Sequence, residues 1–277
     1  MLVPEMPEVE TLRRGLVKAT AGQRVTAIHI SDERVLKRGE SGGFSDRLTG
    51  AAVKSVNRRG KYLLFAMERG GLPLFHLVVH LNMKGSIRMF SSDVAPQKYE
   101  CVRVGLSSGD VLVYTDMWTW GDWHLDDASD YTQVSDVASM GPEPLDDGWS
   151  GEVLAGRLAG RRGLIKAVLL DQKVVAGVGN IYADESLFAA GIAPKRQASG
   201  LDAAACAALA GSIAETLGNA VCCGGSRGEY VDLDGNPGTY EPRVYGGKGK
   251  PCPRCGGLLV KTSIGGRGTT YCPDCQR

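Results

Sequence analysis

Two short cysteine pairs constrain this chain more than anything else in it. Cys252-Pro253-Arg254-Cys255 and Cys272-Pro273-Asp274-Cys275 are separated by sixteen residues. A C-x2-C turn presents two sulfurs to one ion, and two such turns complete a tetrahedral shell, so the spacing predicts one structural zinc. The alternatives are a pair of disulfides or four unrelated thiols. Disulfides need an oxidising compartment, and nothing at the N-terminus reads as a secretory signal, so a reducing cytoplasm is expected. Between the pairs, two strand-like runs flank Ile264-Gly265-Gly266-Arg267, which predicts a hairpin with glycines at its tip and an arginine beside them. Residues 243–277 hold seven Lys or Arg and one acidic residue, although the whole chain carries only +1. A zinc-stapled basic hairpin suits a polyanion, and nucleic acid is the partner that this local bias implies.

A length of 277 residues suits two modest domains. No run of about eighteen apolar residues occurs, so no membrane span is expected. Cys101, Cys206, Cys222 and Cys223 have no metal spacing and read as buried or half-buried free thiols. Pro7, with Glu8 and Glu10 behind it, predicts a helix start, and Val9, Leu12 and Leu16 fall on one face. From Val25 to about Val113 the chain turns to short alternating or β-branched runs, the pattern of a β-sandwich or flattened barrel. Residues 126–150 are acidic and broken by G-P-E-P, a linker or hinge. Helices are then expected over 151–158, 164–172, 180–190 and 201–221. The glycines of V-V-A-G-V-G-N, just ahead of Asn180, predict a backbone amide cradle suited to a phosphate. The fold class is thus α+β. A β-sandwich with a leading helix spans 4–125, a linker 126–150, a helical domain 151–240 and a zinc hairpin 241–277.

Several separated motifs then agree with one another. They are P-E-M-P-E-V-E-T at 4–11, R-R-G-K-Y-L-L at 58–64, H-L-N-M-K-G at 80–85, Y-T-D at 114–116, G-P-E-P-L at 141–145, G-V-G-N-I-Y-A-D-E-S-L-F-A-A-G-I at 177–192 and V-Y-G at 244–246. With the cysteine frame, Arg267 and Gln276, they resemble the formamidopyrimidine-DNA glycosylase family, in order and over essentially the whole chain. The resemblance implies a helix–two-turns–helix domain beside the sandwich, with DNA in the cleft between domains. It implies a monomer in a bacterial cytoplasm, at the nucleoid when acting on double-stranded DNA that contains oxidised bases or abasic sites. The family excises an oxidised base and then breaks the strand by elimination. Carried over by position, Pro4 is the nucleophile through its secondary amine and Glu5 the general acid–base. Lys61 assists β-elimination, and Arg267 holds phosphates and assists the second elimination. Asn180, Lys166 and Arg162 match phosphate-holding positions, and Met83 matches the residue that fills the gap left by a flipped base.

The chain departs from the family pattern in four places. Met1-Leu2-Val3 precede Pro4, and an amide-linked proline has no nucleophilic amine; a start at codon 3 followed by methionine removal would expose it. Where D-P-R-R-F-G is typical, residues 116–121 read D-M-W-T-W-G. Trp118, Thr119 and Trp120 thus replace two arginines and a phenylalanine, and a weaker preference for cytosine opposite the lesion is expected. Tyr99 and Cys101 stand where histidines are usual, with a phosphate contact from the Tyr99 hydroxyl still open. Residues 224–230 shorten the lesion-capping loop. Two other readings stay open: the same chemistry on oxidised pyrimidines or hydantoins, and a noncatalytic binder of damaged DNA.

Overall fold

The computed structural model describes residues 4–37, 41–71, 73–127, 134–228 and 230–277. The expectation concerning Met1-Leu2-Val3 lies outside them. The chain forms two compact units. The first comprises Met1–Pro4, Glu8–Ala138 and Gly228–Gly238; the second comprises Glu5–Pro7, Ser139–Arg227 and Thr239–Arg277.

In the first unit the apolar face predicted for the leading helix is realised. In α1 (Met6–Thr20), Val9, Leu12 and Leu16 are buried in a core shared with the strands. Among the described residues eight strands make two four-stranded antiparallel sheets. One has the order β1 (Val25–Ile30), β6 (Glu100–Leu106), β7 (Asp110–Thr115), β5 (Ser86–Ser91). The other runs β2 (Ala52–Arg59), β3 (Tyr62–Glu68), β4 (Phe75–His80), β8 (Asp122–Asp126). Inward residues such as Val53, Phe65, Leu77, Val102 and Leu112 fill the core, as alternation in a sandwich requires. The sequence did not announce α2 (Ser41–Leu48), whose S-G-G-F-S-D-R-L is poor in helix formers. Nor did it announce β8, whose D-W-H-L-D merged with the acidic stretch behind it. The expected linker is only partly one. Val134 and Val137, at the single turn α3 (Ser135–Ala138), pack on Leu64 and Val78 of the first unit. Gly141 donates to the Gln172 carbonyl and Ala176 to the Pro142 carbonyl within the second. Residues 228–238, expected in the helical domain, belong to the first unit: Met89 N–H donates to the Leu233 carbonyl at 3.0 Å, and Leu233 is buried there.

The second unit is helical as expected: α4 (Gly151–Leu158), α5 (Ile165–Leu169), α6 (Asn180–Ala189) and α7 (Ala203–Cys222). Ser150 caps α4 through the Val153 N–H, and Asp202 caps α7 through the Ala205 N–H. By length and composition α7 could cross a membrane, at mean hydropathy 1.3. Here it serves as a core helix, with Leu209, Ile213, Leu217 and Val221 buried among the unit's other residues. The hairpin follows as β9 (Val260–Ile264) and β10 (Arg267–Tyr271), with Ile264 paired to Arg267. Gly265 and Gly266 have φ of 57° and 73°, the two positive angles of a type I′ turn, which explains the glycine pair.

Candidate active site and zinc centre

The second unit is built around α6. Every residue from Ile181 to Phe188 is buried, including Asp184, Glu185 and Ser186. Buried carboxylates are costly unless they are hydrogen-bonded. Each of these carboxylates, together with Glu5, ties α6 to a different segment of chain.

Glu5 sits at the helix N-terminus. Its carboxylate accepts from the backbone N–H of Gly179 at 2.9 Å, Ile181 at 2.8 Å and Tyr182 at 3.3 Å. The positive end of the helix dipole favours a negative charge there. A Cβ on Gly179 would come within 2.4 Å of the Glu5 carboxyl carbon, so only glycine fits. The amide cradle predicted from G-V-G-N therefore exists, but its occupant is corrected: these amides hold a carboxylate of the same chain, not a phosphate. Gln172 shapes the approach, accepting from Gly177 N–H and donating to the Val178 carbonyl. Met6 N–H donates to the Gly177 carbonyl at 3.1 Å, so both sides of Glu5 are fixed. Pro4, one peptide bond away, is buried.

Asp184 and Lys166 form an ion pair at 2.5 Å with both side chains fully buried. Lys166 also donates to the Gly268 carbonyl at 3.0 Å, and Asp184 accepts from Thr270 N–H at 2.9 Å. Burial depresses the Lys166 ammonium and pushes the Asp184 carboxyl up to about 6, in each case against the partner's charge. This corrects the expectation for Lys166. Its charge is spent inside the unit, anchoring the strand that begins at Arg267, and it does not face a phosphate. Glu185 accepts from the N–H groups of Arg243, Val244 and Tyr245 at 2.7–2.8 Å. The Tyr245 hydroxyl lies 3.5 Å from the Asn180 amide nitrogen, which makes Tyr245 a site neighbour that sequence reasoning missed. Charges inside an otherwise apolar helical run were the signal for Asp184 and Glu185. Arg162 and Arg267 are exposed and Asn180 is half-buried.

The four cysteine sulfurs all lie within 4.8 Å of one another, with Cys252–Cys275 at 3.9 Å and Cys255–Cys272 at 3.6 Å. Four thiolates about 2.3 Å from one ion stand about 3.8 Å apart at tetrahedral angles, so this donor set fits one zinc. Arg254 and Gly257 N–H groups donate to Cys252 and Cys255 Sγ. The centre is fastened to the C-terminal end of α6. The Arg254 guanidinium lies 4.7 Å over the Phe188 ring and donates to the Phe188 and Ala189 carbonyls, a cation at the negative pole of the helix. Of the remaining thiols, Cys101 and Cys206 are buried and Cys223 is half-buried, but Cys222 is exposed, against expectation.

In the first unit Lys61 follows Gly60, which has φ of 53°. Arg58 fixes this corner, donating to the Gly60 carbonyl at 2.9 Å and to Glu10 at 3.1 Å. His80, tilted against Tyr62 with ring centroids 4.4 Å apart, is brought down to about 4 by burial and by the charge of Lys61. The D-M-W-T-W-G turn is organised by Asp116. Its carboxylate accepts from Trp118 N–H, Gly121 N–H and the Tyr114 hydroxyl. A Cβ on Gly121 would fall 1.7 Å from the Tyr114 oxygen and one on Gly85 2.5 Å from it, so both glycines make room for that tyrosine. Thr119 is buried, Trp118 and Met83 are half-buried, and Tyr99 and Trp120 are exposed.

Comparison with known proteins follows the same division. Residues 3–123 match the formamidopyrimidine-DNA glycosylase N-terminal domain, 140–230 its H2TH domain, and 249–277 a zinc finger found in FPG and IleRS. The chain is 41% identical over 282 residues to the formamidopyrimidine-DNA glycosylase of Laribacter hongkongensis, covering 99% of this chain and all of that one. It is 40% identical over 277 residues to that of Desulfitobacterium hafniense, with the same coverage. Among solved structures it is similar to Lactococcus lactis Fpg in complex with abasic-site DNA, at TM-score 0.91 and 34% identity over 99% of both chains. The same enzyme with DNA containing N7-benzyl-Fapy-dG gives TM-score 0.91, covering 99% of this chain and 100% of that one.

Proposed function

The chain belongs to the formamidopyrimidine-DNA glycosylase family, and we propose that it excises oxidised and ring-opened purines from duplex DNA and then cleaves the strand as an AP lyase. The observation that carries this reading is Glu5: a carboxylate fixed by three helix N-terminal amides, one residue from a proline. In this reading the Pro4 secondary amine attacks the sugar carbon that bears the damaged base. The glycosidic bond breaks and its electron pair leaves with the base. An α-amine with a pKa near ~8 is partly unprotonated at neutral pH. After its attack the nitrogen gives up its proton, and the C1′–O4′ bond breaks as Glu5 protonates the ring oxygen. The opened sugar is left as a proline iminium, cationic without a further proton. That cation draws electrons from the sugar, so proton loss can expel the 3′ and then the 5′ phosphate. Glu5 exchanges protons with the sugar. Lys61, on the corner that Arg58 stiffens, assists the first elimination. Arg267, at the hairpin tip that Lys166 and Asp184 anchor, neutralises phosphate and assists the second. Asn180 and Arg162 hold backbone phosphates, and Met83 occupies the gap. The zinc is structural. The enzyme acts as a monomer in the bacterial cytoplasm, at the nucleoid. The chemistry requires that Pro4 carry a free amine, so Met1-Leu2-Val3 must be absent from the active form.

Borohydride trapping on duplex DNA containing 8-oxoguanine opposite cytosine, with peptide mapping of the adduct, tests this. The expected adduct is at Pro4. Failure to trap either 8-oxoguanine or an abasic site with protein whose Pro4 is free would overturn it. A second reading, the same chemistry on oxidised pyrimidines, is supported by the tryptophan turn and by a complex of the Lactococcus enzyme with DNA containing an oxidised pyrimidine. Thymine glycol excised faster than 8-oxoguanine would favour it.

A further inference from the structure

Among the described residues, three that are not glycine have positive φ: Asn82 at 51°, Tyr99 at 62° and Thr119 at 54°. Such strain persists only where the surroundings impose it, and it gathers at functional sites. All three residues lie in loops of the first unit that are bonded to one another. The Asn82 side-chain amide donates to the Trp120 carbonyl. Asp116 N–H donates to the Tyr99 carbonyl at 2.9 Å, and the buried Cys101 thiol lies 3.5 Å and 3.6 Å from the Tyr99 and Asp116 carbonyls. Six large apolar or aromatic side chains are well exposed among the described residues, and three belong here: Tyr99 at 47%, Met117 at 43% and Trp120 at 52%. Trp118 and Trp120 stand with ring centroids 4.9 Å apart, tilted by 47°. Lys98 lies 4.8 Å over the Tyr99 ring, and Lys37 donates to the Thr119 carbonyl.

We infer that these loops are a pre-set stacking platform for an unpaired base of the DNA, and that this enzyme accepts its lesion with little regard to the base opposite. The inference rests on the DNA-repair reading above. The cations in the loops favour a polyanion, and aromatic faces exposed by a braced backbone suit a base, since every base has a π-face. Reading one base against another requires paired donors or acceptors aimed at its edge. Each tryptophan has a single ring N–H, and the Thr119 hydroxyl is spent on the Trp118 carbonyl at 2.6 Å. The Asp116 carboxylate is spent on its own turn.

Single-turnover excision of 8-oxoguanine opposite each of the four bases tests the inference. Rates should agree within about threefold, whereas one bidentate reader separates bases by roughly five- to a hundredfold. Trp118→Arg should introduce a preference of about that size, and Trp120→Ala, at an exposed position, should slow all four substrates by about tenfold. A second measurement does not depend on turnover: 2-aminopurine opposite an uncleavable abasic analogue should be quenched on binding, less so with Trp120→Ala, and again with Trp118→Phe. A tenfold preference for one opposite base in the unmodified enzyme would overturn the inference and leave the repair reading intact. So would quenching that ignores both tryptophans. Absence of excision opposite every base, with quenching as expected, would instead count against the repair reading alone.

Discussion

Glu10 is the residue whose replacement tests most directly how the lysine corner is held. It lies on α1 with its side chain 11% exposed and accepts from Arg13 and Arg14 on the same helix and from Arg58 on β2. Burial alone would raise the carboxyl. Hydrogen bonds from Arg13 and Arg14 and the charges of Arg13 and Arg58 outweigh it and bring the group down from 4.5 to about 2. A group with a depressed folded pKa stabilises the fold above its unfolded pKa, and this is lost as pH falls through the folded value. At about 1.4 kcal/mol for each tenfold in proton affinity, the shift is worth about 3 kcal/mol at pH 7. Because Arg14 is 56% exposed and its contribution is screened, about 2–3 kcal/mol is the figure to test. Glu10→Gln mimics the protonated side chain and should remove that amount at pH 7. Urea unfolding from pH 7 down to pH 3 reads it, with tryptophan emission as the probe, because Trp118, Trp120 and Trp123 all lie in the first unit. The gap between the two proteins should shrink by roughly half or more by pH 3. A pH-independent gap would refute the electrostatic reasoning, and no gap at all would show that the arginines find other partners. Glu10→Gln should also lower lyase activity more than binding to abasic DNA, since Arg58 then loses the charge of a partner that helps hold the corner before Lys61.

Lys166→Met strands a fully buried carboxylate and should cost about 3–5 kcal/mol, whereas Lys166→Met with Asp184→Asn should recover most of it; equal losses in chemical denaturation would deny the coupling. Gly179→Ala should abolish base excision, because the added methyl displaces the Glu5 carboxyl, and retained activity would remove Glu5 from its assigned place. Zinc chelation should free the hairpin, shown by loss of amide protection at Thr270 in hydrogen exchange, with a large fall in DNA affinity; unchanged protection would mean that the α6 anchors suffice without metal.

The parts of this chain that read clearly from sequence are those whose cause is local. The cysteine spacing, the paired glycines of the hairpin and the capped helices in the second unit are each set by a few consecutive residues. The cradle ahead of Asn180 was legible as a cradle, but not its occupant, because Glu5 lies 174 residues from Gly179. Lys166 carried the pattern of a phosphate ligand; only the fold places Asp184 and Gly268 around it. In sequence, residues 228–238 group with the helical domain, because nothing in their composition records that Leu233 fills the first unit's core. Asp116 was visible as a motif residue, but its bracing of two tryptophans depends on backbone bonds that sequence does not display.

The attachments of α6 have a consequence for the order in which a newly made chain becomes an enzyme. Glu5 leaves the ribosome early, yet its three donors follow some 174 residues later. The partners of Glu185 come at 243–245, and Asp184, already paired with Lys166, receives its backbone donor only at Thr270. Closing loops of that length is slow and is rewarded only when the last contact forms. A nascent chain that has not yet reached α6 therefore has the strands of the sandwich but none of the amides that hold the Glu5 carboxylate. On the function proposed above, strand cutting is then withheld from any translation product that stops short of Gly179.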